Sequence, residues 1–373
     1  MWNLAIKTLL ADPGKLGTAL LGLTFTLVLV NIQGGLFIGL IRKVSLMVDN
    51  GDAHIWVGHR GMHNVDFAED IPRWWVERIR GLPGVELAAP YLIGWSSMTL
   101  PNGSREAVVV VGTEPPALLG NAWRVRVGRA EDVIQPDAII VDLMERPKLL
   151  WPRLGEVREI GGHRARIVAF SEGVMGFLVA PYVFTTIDRA ARYCQKDPQF
   201  CSYLLVRARP GTDLEKLCAE IRARIPEADA YVRDDYSALS VDFWMRRTGL
   251  GISFGAATAL GMLVGLVIVA QTMYAAVLDR MPEYAALKAM GATGRHLLVI
   301  LQCQALFLAT VAATLGMLAV FCVQWLYSTP RAPIWIPWWL SSGSCALAWL
   351  IASASAALPY RRLRAADPMA ALT

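Results

Sequence analysis

Three histidines close together in the sequence come nearest, by type and spacing, to a chemical site. His54, His59 and His63 could bind a metal ion or a haem, because imidazole nitrogens are common metal ligands. Their spacing matches no standard zinc pattern, and no cysteine lies nearby. We therefore interpret them as polar residues of a loop or a strand edge, and we expect no bound metal.

The region that contains these histidines shows no catalytic motif. Between residues 43 and 247 there is no glycine-rich phosphate-binding loop, no G-x-S-x-G nucleophile elbow and no H-E-x-x-H zinc motif. This absence argues against an enzyme that uses this region as its catalytic module.

The six cysteines divide evenly between this polar region and the apolar segments of the chain. Cys194 and Cys201 could form a disulfide if the polar region is extracytoplasmic, and the alternative is that their thiols are free. Three cysteines cannot all pair with one another, so at least one stays free or pairs elsewhere. The polar region contains Cys194, Cys201 and Cys218, and the apolar segments contain Cys303, Cys322 and Cys345.

The histidines and cysteines belong to a chain that also contains long apolar segments. Hydrophobic residues make up 55% of the 373 residues and charged residues 18%, whereas soluble domains average about 45–50% and about 25%. This composition excludes a purely soluble enzyme, a disordered chain, a fibrous repeat and a small disulfide scaffold. The net charge of +5 is too small to indicate a nucleic-acid partner.

Four runs of the sequence contain no Asp, Glu, Lys or Arg. Each exceeds the roughly 20 residues that a helix needs to cross the hydrocarbon core of a bilayer. A cleaved signal peptide is the alternative for the first run, but the run is longer than a signal core of about 7–15 residues and no A-x-A site follows it. The four runs are residues 16–41, 248–278, 297–330 and 332–360.

Basic residues near the span ends predict the orientation in the membrane. The N-terminal segment, the loop at 279–296 and the tail are all basic, so we assign them to the cytoplasm; Arg42, Lys43, Arg246 and Arg247 lie on the opposite side and weaken the rule locally. We predict an α-helical membrane protein with four transmembrane helices, one plus three, and a large extracytoplasmic α/β domain between helices 1 and 2. The predicted order is a cytoplasmic segment at 1–15, helix 1 at 16–42, the extracytoplasmic domain at 43–247, helix 2 with a stalk at 248–278, a cytoplasmic loop at 279–296, helix 3 at 297–328, a short outer loop at 329–337, helix 4 at 338–360 and a cytoplasmic tail at 361–373.

The predicted outer domain mixes short strands with a few helices. Segments rich in Val, Ile, Tyr and Trp predict strands, and Thr212 followed by Glu215 predicts a capping box at the start of a helix. Strands alternating with helices indicate an α/β domain, which we expect to have two lobes. The predicted strands are 53–57, 106–111, 138–142, 164–170 and 202–207, and the predicted helices are 72–82 and 212–225.

Amides and a hydroxyl inside the apolar runs predict contacts between helices, since polar groups within a bilayer tend to face a partner helix. We expect a homodimer that contacts through spans one and two, with ordinary packing within the bundle as the alternative for each residue. The run cores contain no Asp, Glu, Lys or Arg, which indicates that the energy for any transport is supplied elsewhere. The polar residues are Asn31, Gln33, Gln271, Thr272, Gln302 and Gln304.

The loop between the second and third runs predicts a short helix at 282–290. Pro282 suits a first helical position, Glu283 is favourable in the first turn, and Gly291 is placed to end the helix. Its many small and apolar residues are typical of a helix that docks into a groove of another protein, with Tyr284, Leu287 and Met290 forming much of the contact. The alternative is a helix that only lies on lipid headgroups. The segment reads Pro282, Glu283, Tyr284, Ala285, Ala286, Leu287, Lys288, Ala289, Met290 and Gly291.

This segment resembles the E-x-x-x-L-K-A-[ML]-G-A coupling segment of ABC permeases of the MacB/FtsX superfamily. The tail is also similar to the family's ending, P-x-x-R followed by D-P-x-x-A-L, with Pro359, Arg362, Asp367 and Leu372 at the matching positions. The plan of one span, a large domain and three further spans is the family's plan. The resemblance therefore covers nearly the whole chain.

Within the superfamily the sequence looks most like the DevC branch, on the stretches 31–37, 248–251 and 269–274. That branch consists of permeases with a separate ATP-binding subunit, which work with an HlyD-type periplasmic adaptor and in some cases an outer-membrane channel. A haem-exporter permease with the same span plan is the alternative.

The resemblance implies the membrane subunit of an ATP-driven exporter, in the bacterial cytoplasmic (inner) membrane. It implies that this chain is not an enzyme and binds no cofactor, because ATP and Mg²⁺ are bound by the partner ATPase. The mechanism it implies is mechanotransmission, in which the ATPase moves the outer domain through the membrane helices. A regulatory or signalling subunit like FtsX, which transports nothing, is a further alternative, and the sequence does not name the substrate.

Overall fold

The computed structural model describes residues 13–174, 176, 180–279, 281–330, 332–356 and 360. Contacts divide the chain into two compact units. The helical unit consists of Met1–Gly39 and Gly251–Thr373, and the sheet unit is Leu40–Leu250. The apolar runs thus pack with one another, and the polar region builds a core of its own.

The first described helix, α1 (Pro13–Val44), has 32 residues and is therefore about 48 Å long. Proline suits the first turn, because the N–H that it lacks would have no partner within the helix. Arg42 and Lys43 lie in the last turn, where positive charge is favourable. The helix begins and ends slightly beyond the predicted span at 16–42.

The sheet unit contains one large sheet. Among the described residues ten strands form this sheet, in the order β12-β1-β11-β3-β4-β9-β6-β8-β5, with β7 pairing with β3 and β8; β10 and β2 pair separately. The strands are β1 (Ile55–His59), β2 (Ile71–Pro72), β3 (Val85–Thr99), β4 (Arg105–Thr113), β5 (Val125–Val127), β6 (Ala138–Asp142), β7 (Val157–Ile160), β8 (His163–Ser171), β9 (Tyr182–Thr186), β10 (Phe200–Cys201), β11 (Tyr203–Ala208) and β12 (Ala228–Val232). Each of the five predicted strands overlaps one of these.

Helices cover both faces of the sheet, because side chains alternate along each strand. On β3, Leu92 belongs to a core that includes residues of α3, α4 and α5, and Tyr91 belongs to a second core that includes residues of α2 and α6. One continuous sheet carries both cores, and the expected division of this domain into two lobes stays a prediction. The helices are α2 (Leu46–Asp49), α3 (Trp75–Arg80), α4 (Ile187–Tyr193), α5 (Leu214–Arg224) and α6 (Arg233–Asp242).

Two predicted helices of this unit begin later than expected. α3 begins at Trp75 because Ile71 and Pro72 form β2, which pairs with β10. α5 is capped by Asp213, whose carboxylate accepts from the backbone N–H of Lys216 at 3.2 Å. The predicted cap, Thr212, instead donates its hydroxyl to the carbonyl of Gly84. The neighbouring carboxylate is the stronger acceptor for the free N–H groups of the helix.

The helix that precedes the second apolar helix does not run continuously into it. α6 continues into one turn of π-helix, Phe243–Arg247, and the next helix, α7 (Leu250–Asp279), begins only at Leu250. Gly249 between them has φ +74°, a conformation that glycine adopts without steric cost. The helical hydrogen-bonding pattern is therefore interrupted here, and a single helix does not run through 242–278.

The remaining helices are α8 (Met281–Ala289), α9 (Gly294–Tyr327) and α10 (Trp338–Ser355). Within the described residues, three helices are long and apolar enough to cross a membrane: α1, α7 and α9. α10, at 18 residues, is shorter than the predicted fourth span at 338–360, of which residues 357–359 lie outside the described part of the chain.

Glycines bring the helices of this unit close together. A Cβ added to Gly22 of α1 would collide with Ile268 of α7, and one added to Gly265 of α7 would collide with Thr26 of α1. Further along α1, the carbonyl of Pro333 occupies the space beside Gly39. Small residues allow this close approach, as they do generally between membrane helices.

Candidate functional site

The short helix α8 carries the segment for which the sequence predicted a partner. It spans Met281–Ala289, within one residue of the predicted 282–290. Beyond it the N–H of Met290 donates to the carbonyl of Ala286 and that of Ala292 to the carbonyl of Leu287, both at 3.0 Å. Gly291 has φ +97°, which is the left-handed conformation that ends many helices. The expected role of Gly291 is confirmed.

One face of α8 is buried in the chain's own helix bundle. The ring of Tyr284 belongs to the bundle core, and its hydroxyl accepts from Nε2 of Gln304 on α9 at 3.4 Å. Met281 and Leu287 are half-buried against the same core. A helix of nine residues is not stable alone. The packing of Tyr284, its largest side chain, on the bundle core therefore stabilises the helix. In this structure the ring of Tyr284 therefore packs on the chain's own core, and its expected contact with a partner protein stays a prediction.

The opposite face of α8 is exposed. Glu283, Ala286 and Met290 lie on it, at the spacing i, i+3 and i+7 that defines one side of a helix. Met290, directly after the last residue of the helix, is 77% exposed. The side chains of Pro282, Ala285 and Ala289 lie outside what the structure describes.

Most of the polar residues predicted at a dimer interface bond within the chain. Nδ2 of Asn31 donates to Oγ of Ser344 on α10 at 2.8 Å, and Nε2 of Gln302 donates to the carbonyl of Ser353 at 3.2 Å.

Gln304 binds Tyr284, and the hydroxyl of Thr272 donates to the carbonyl of Ile268 in its own helix. Gln271 is exposed on α7, and Gln33 is half-buried on α1. The side-chain oxygen of Gln33 is buried without a hydrogen-bond partner, so of the six predicted residues Gln271 is the one placed on the surface, where a second copy of the chain could reach it.

The three histidines that the sequence places close together have separate environments in the sheet unit. Nδ1 of His54 accepts from the N–H of Ala208 at 3.1 Å. Nε2 of His59 lies 3.8 Å from the carboxylate of Glu69, and the ring of His63 stacks on Phe243. Within the described residues no group of three His, Cys, Asp or Glu is arranged to hold a metal ion. Each histidine thus has a structural contact of its own.

The cysteines of the sheet unit are free thiols, and the disulfide considered between Cys194 and Cys201 is not formed in this structure. Burial raises the pKa of Cys194 to about 11 and the pKa of Cys201 to about 12. The same cause raises the pKa of Cys218 to about 12. Thiols with such pKa values are poor nucleophiles at neutral pH.

A partly buried carboxyl group that the sequence did not single out, that of Asp66, lies between β1 and β2. Asp66 accepts from Nε1 of Trp244 at 3.3 Å and from the hydroxyl of Tyr182 at 3.4 Å. Burial raises its pKa from 3.8 to about 6, and the two hydrogen bonds oppose that effect. Asn64, which accepts from the N–H of Asp66 at 2.9 Å, marks a turn in the sequence. No local pattern connects Asp66 to Trp244, which is 178 residues away.

The long apolar helices, the folded α/β unit inserted after the first of them and the short helix α8 between α7 and α9 define a membrane permease with a large extracellular domain. The chain belongs to the MacB/FtsX family of ABC transporter permeases. The family model of the MacB-like periplasmic core domain matches residues 16–224, and that of the FtsX-like permease C-terminal domain matches residues 255–368.

Curated relatives carry the same class of description. An uncharacterized ABC transporter permease of Methanocaldococcus jannaschii is 23% identical over 59% of this chain and 57% of its own length. An uncharacterized ABC transporter permease of Mycobacterium tuberculosis is 25% identical over 79% of this chain and 77% of its own. The match thus spans little more than half of the archaeal relative.

Two solved structures are similar to part of the chain. The periplasmic region of MacB from Actinobacillus actinomycetemcomitans covers 50% of this chain and 93% of that structure, at 8% identity and a TM-score of 0.39. The extracellular domain of the noncanonic ABC-type transporter YknZ from Gram-positive bacteria covers 48% of this chain and 98% of that structure, at 11% identity and a TM-score of 0.35.

Proposed function

We propose that this chain is the permease subunit of an ATP-driven exporter of the mechanotransmission type. It couples a separate ATPase subunit, which binds ATP and Mg²⁺, to movement of the sheet unit on the other side of the bacterial inner membrane. The observation that carries the proposal is the arrangement of α8, which is held by Tyr284 and presents Glu283, Ala286 and Met290 outward.

The exposed face of α8 suits a protein groove. Met290 is large, flexible and apolar, and such side chains adapt well to a partner surface. Tyr284 and Leu287 tie the helix to the bundle core, so a push on the exposed face is transmitted to α9 through the contact with Gln304. The proposed docking surface thus keeps Met290 from the sequence prediction and has Glu283 and Ala286 in place of Tyr284 and Leu287.

We propose that α10 is a fourth membrane span. Its 18 residues give about 27 Å, close to the roughly 30 Å of the hydrocarbon core. Its serines lower its hydropathy, but Ser344 accepts from Asn31 and the carbonyl of Ser353 accepts from Gln302. Bonds to α1 and α9 therefore satisfy polar groups that would otherwise oppose insertion.

The permease is proposed to act as a homodimer. α7 exposes Leu260, Leu263 and Val267 together with Gln271. An amide directed into lipid lacks a hydrogen-bond partner there, whereas a second copy of α7 can supply one.

The DevC-like assignment, with an HlyD-type adaptor and an outer-membrane channel for efflux, rests on the sequence resemblance of 31–37, 248–251 and 269–274.

The test is assembly of the permease with its ATPase. Met290→Asp places a charge on the proposed docking face and should abolish recovery of the ATPase with the affinity-tagged permease, because a charge in a dry interface costs several kcal/mol without a partner. Met245→Asp is the matched control, since Met245 is an exposed methionine of the sheet unit. Normal ATPase recovery with Met290→Asp would refute docking at this face.

A further inference from the structure

Five aromatic side chains around the α9–α10 connection are exposed together. We name this group the aromatic collar. It contains four tryptophans and one tyrosine, and each of these residues is more than half exposed. The members are Trp325 (78% exposed), Tyr327 (68%), Trp335 (51%), Trp338 (81%) and Trp339 (54%).

The backbone that carries the collar is held firmly. The N–H of Trp335 donates to the carbonyl of Gly35 on α1 at 2.9 Å. On either side of that bond, Nε2 of Gln324 donates to the carbonyl of Ile334 at 3.0 Å, and the N–H of Ile334 donates to Oγ of Ser328 at 3.1 Å. These bonds fix the connection against α1, so its aromatic side chains are presented outward by a preorganised backbone.

The collar continues an apolar surface that belongs in lipid. Leu318 and Phe321 on α9 are exposed on the same helix that ends at Tyr327, and α9 is long and apolar enough to cross a membrane. In the sequence from 325 to 339 the only charged residue is Arg331. Indole and phenol rings have a large apolar body and one polar group, and they concentrate where hydrocarbon meets the headgroups.

We propose that the aromatic collar binds the headgroup–hydrocarbon boundary of the bilayer and holds the first turn of α10 at that depth. This rests on the proposed crossing of the membrane by α10. With 18 residues, α10 is no longer than the hydrocarbon core that it must cross. A fixed depth for its first turn therefore keeps Ser344 beside Asn31 and Ser353 beside Gln302.

Tryptophan quenching by brominated lipids measures the depth of the collar. The full-length permease is reconstituted in phosphatidylcholine–phosphatidylglycerol vesicles, in which the phosphatidylcholine is brominated either near the headgroup or near the chain ends. The fluorescence lost in Trp338→Phe is the signal of Trp338, the most exposed member. Trp339→Phe supplies a second signal from the same turn, and phenylalanine preserves most of the packing in both variants.

We expect the Trp338 and Trp339 signals to lose a larger fraction of their intensity with bromine near the headgroup than with bromine near the chain ends. Trp349, exposed on the same helix, is 11 residues further and so about 16 Å deeper along the axis. Its signal, from Trp349→Phe, should show the reverse order, and that result reports on the crossing by α10 separately.

Two outcomes would overturn the proposal. In the first, the Trp338 and Trp339 signals respond to neither brominated lipid but are quenched by acrylamide, as expected for Trp151 of the sheet unit; the collar then faces water or a protein. In the second, bromine near the chain ends quenches them more strongly, and the collar lies in the hydrocarbon. If bromine near the chain ends still quenches Trp349 more strongly in either case, the proposal for the collar is rejected while the proposal that α10 crosses the membrane stands.

Discussion

The indole N–H of Trp244 donates to the carboxyl group of Asp66 across 3.3 Å, joining the π-helical turn before α7 to the loop after β1. Phe67 packs on Phe243 and Trp244, and His63 stacks on Phe243. Aromatic packing around the partly buried carboxyl group of Asp66 therefore holds the segment that leads into the second apolar helix.

The stability of this junction should depend on pH through Asp66. Its pKa is raised to about 6 in the folded unit, so the folded state binds a proton more tightly than the unfolded chain. Stability is then highest below about pH 4, falls as the pH rises through 6, and is lowest above that. Thermal unfolding of the permease in detergent, followed by tryptophan fluorescence, should show this fall.

Asp66→Asn should remove that dependence, because the amide still accepts from Trp244 but does not titrate. A shift from 3.8 to about 6 corresponds to at most about 3 kcal/mol gained at neutral pH. Glu69→Gln in the same loop is the control and should retain the wild-type pH dependence. An unchanged pH profile in Asp66→Asn would show that another group is responsible.

Tyr284→Ala should destabilise the helical unit itself. Removing a buried aromatic ring leaves a cavity and costs about 3–5 kcal/mol, whereas Tyr284→Phe loses only the bond from Gln304, about 1 kcal/mol. Thermal unfolding of the two variants in detergent measures the difference. If Tyr284→Ala unfolds like the wild type yet fails to recover the ATPase, the ring faces the partner after all.

Leu287→Asp should impair folding as well as assembly. The leucine is half-buried against the bundle core, so the carboxylate would lose hydration without gaining a partner. A lower unfolding temperature than that of Met290→Asp is the expected result. Equal unfolding temperatures for the two variants would place Leu287 on the docking face rather than on the bundle.

The bond between Asn31 and Ser344 should contribute little to stability. Hydrogen bonds between membrane helices average about 0.6 kcal/mol, so Ser344→Ala should lower the unfolding temperature only slightly. Asn31→Leu should cost more, since the buried site is shaped for a smaller side chain. A large loss in Ser344→Ala alone would show that the bond is essential for placing α10.

The proposed topology places the sheet unit and α8 on opposite sides of the membrane. In a background lacking the exposed Cys322, Lys216→Cys and Met290→Cys put a thiol on exposed positions of each. A membrane-impermeant maleimide added to spheroplasts should label only Lys216→Cys, and lysis should expose Met290→Cys. Labelling of both before lysis would overturn the topology.

The sequence by itself determined the elements whose signals are local. Runs without charge predicted α1, α7 and α9, and Val- and Ile-rich segments predicted strands such as β6, whose bounds at 138–142 were found as predicted. Proline, glutamate and glycine at the ends of residues 282–290 predicted α8 and its termination at Gly291. Hydropathy, helix propensity and capping act over a few residues, so they can be read without the fold.

Only the tertiary structure decided which side of each element meets which neighbour. Tyr284 and Met290 are similar candidates for a protein contact, yet one is buried against Gln304 and the other is exposed. Asn31 bonds to Ser344, 313 residues away, and the carboxyl group of Asp66 accepts hydrogen bonds from Tyr182 on β9 and from Trp244 in the turn before α7. Partner choice over such separations depends on how all the packed side chains fill the core together, and no local pattern records it.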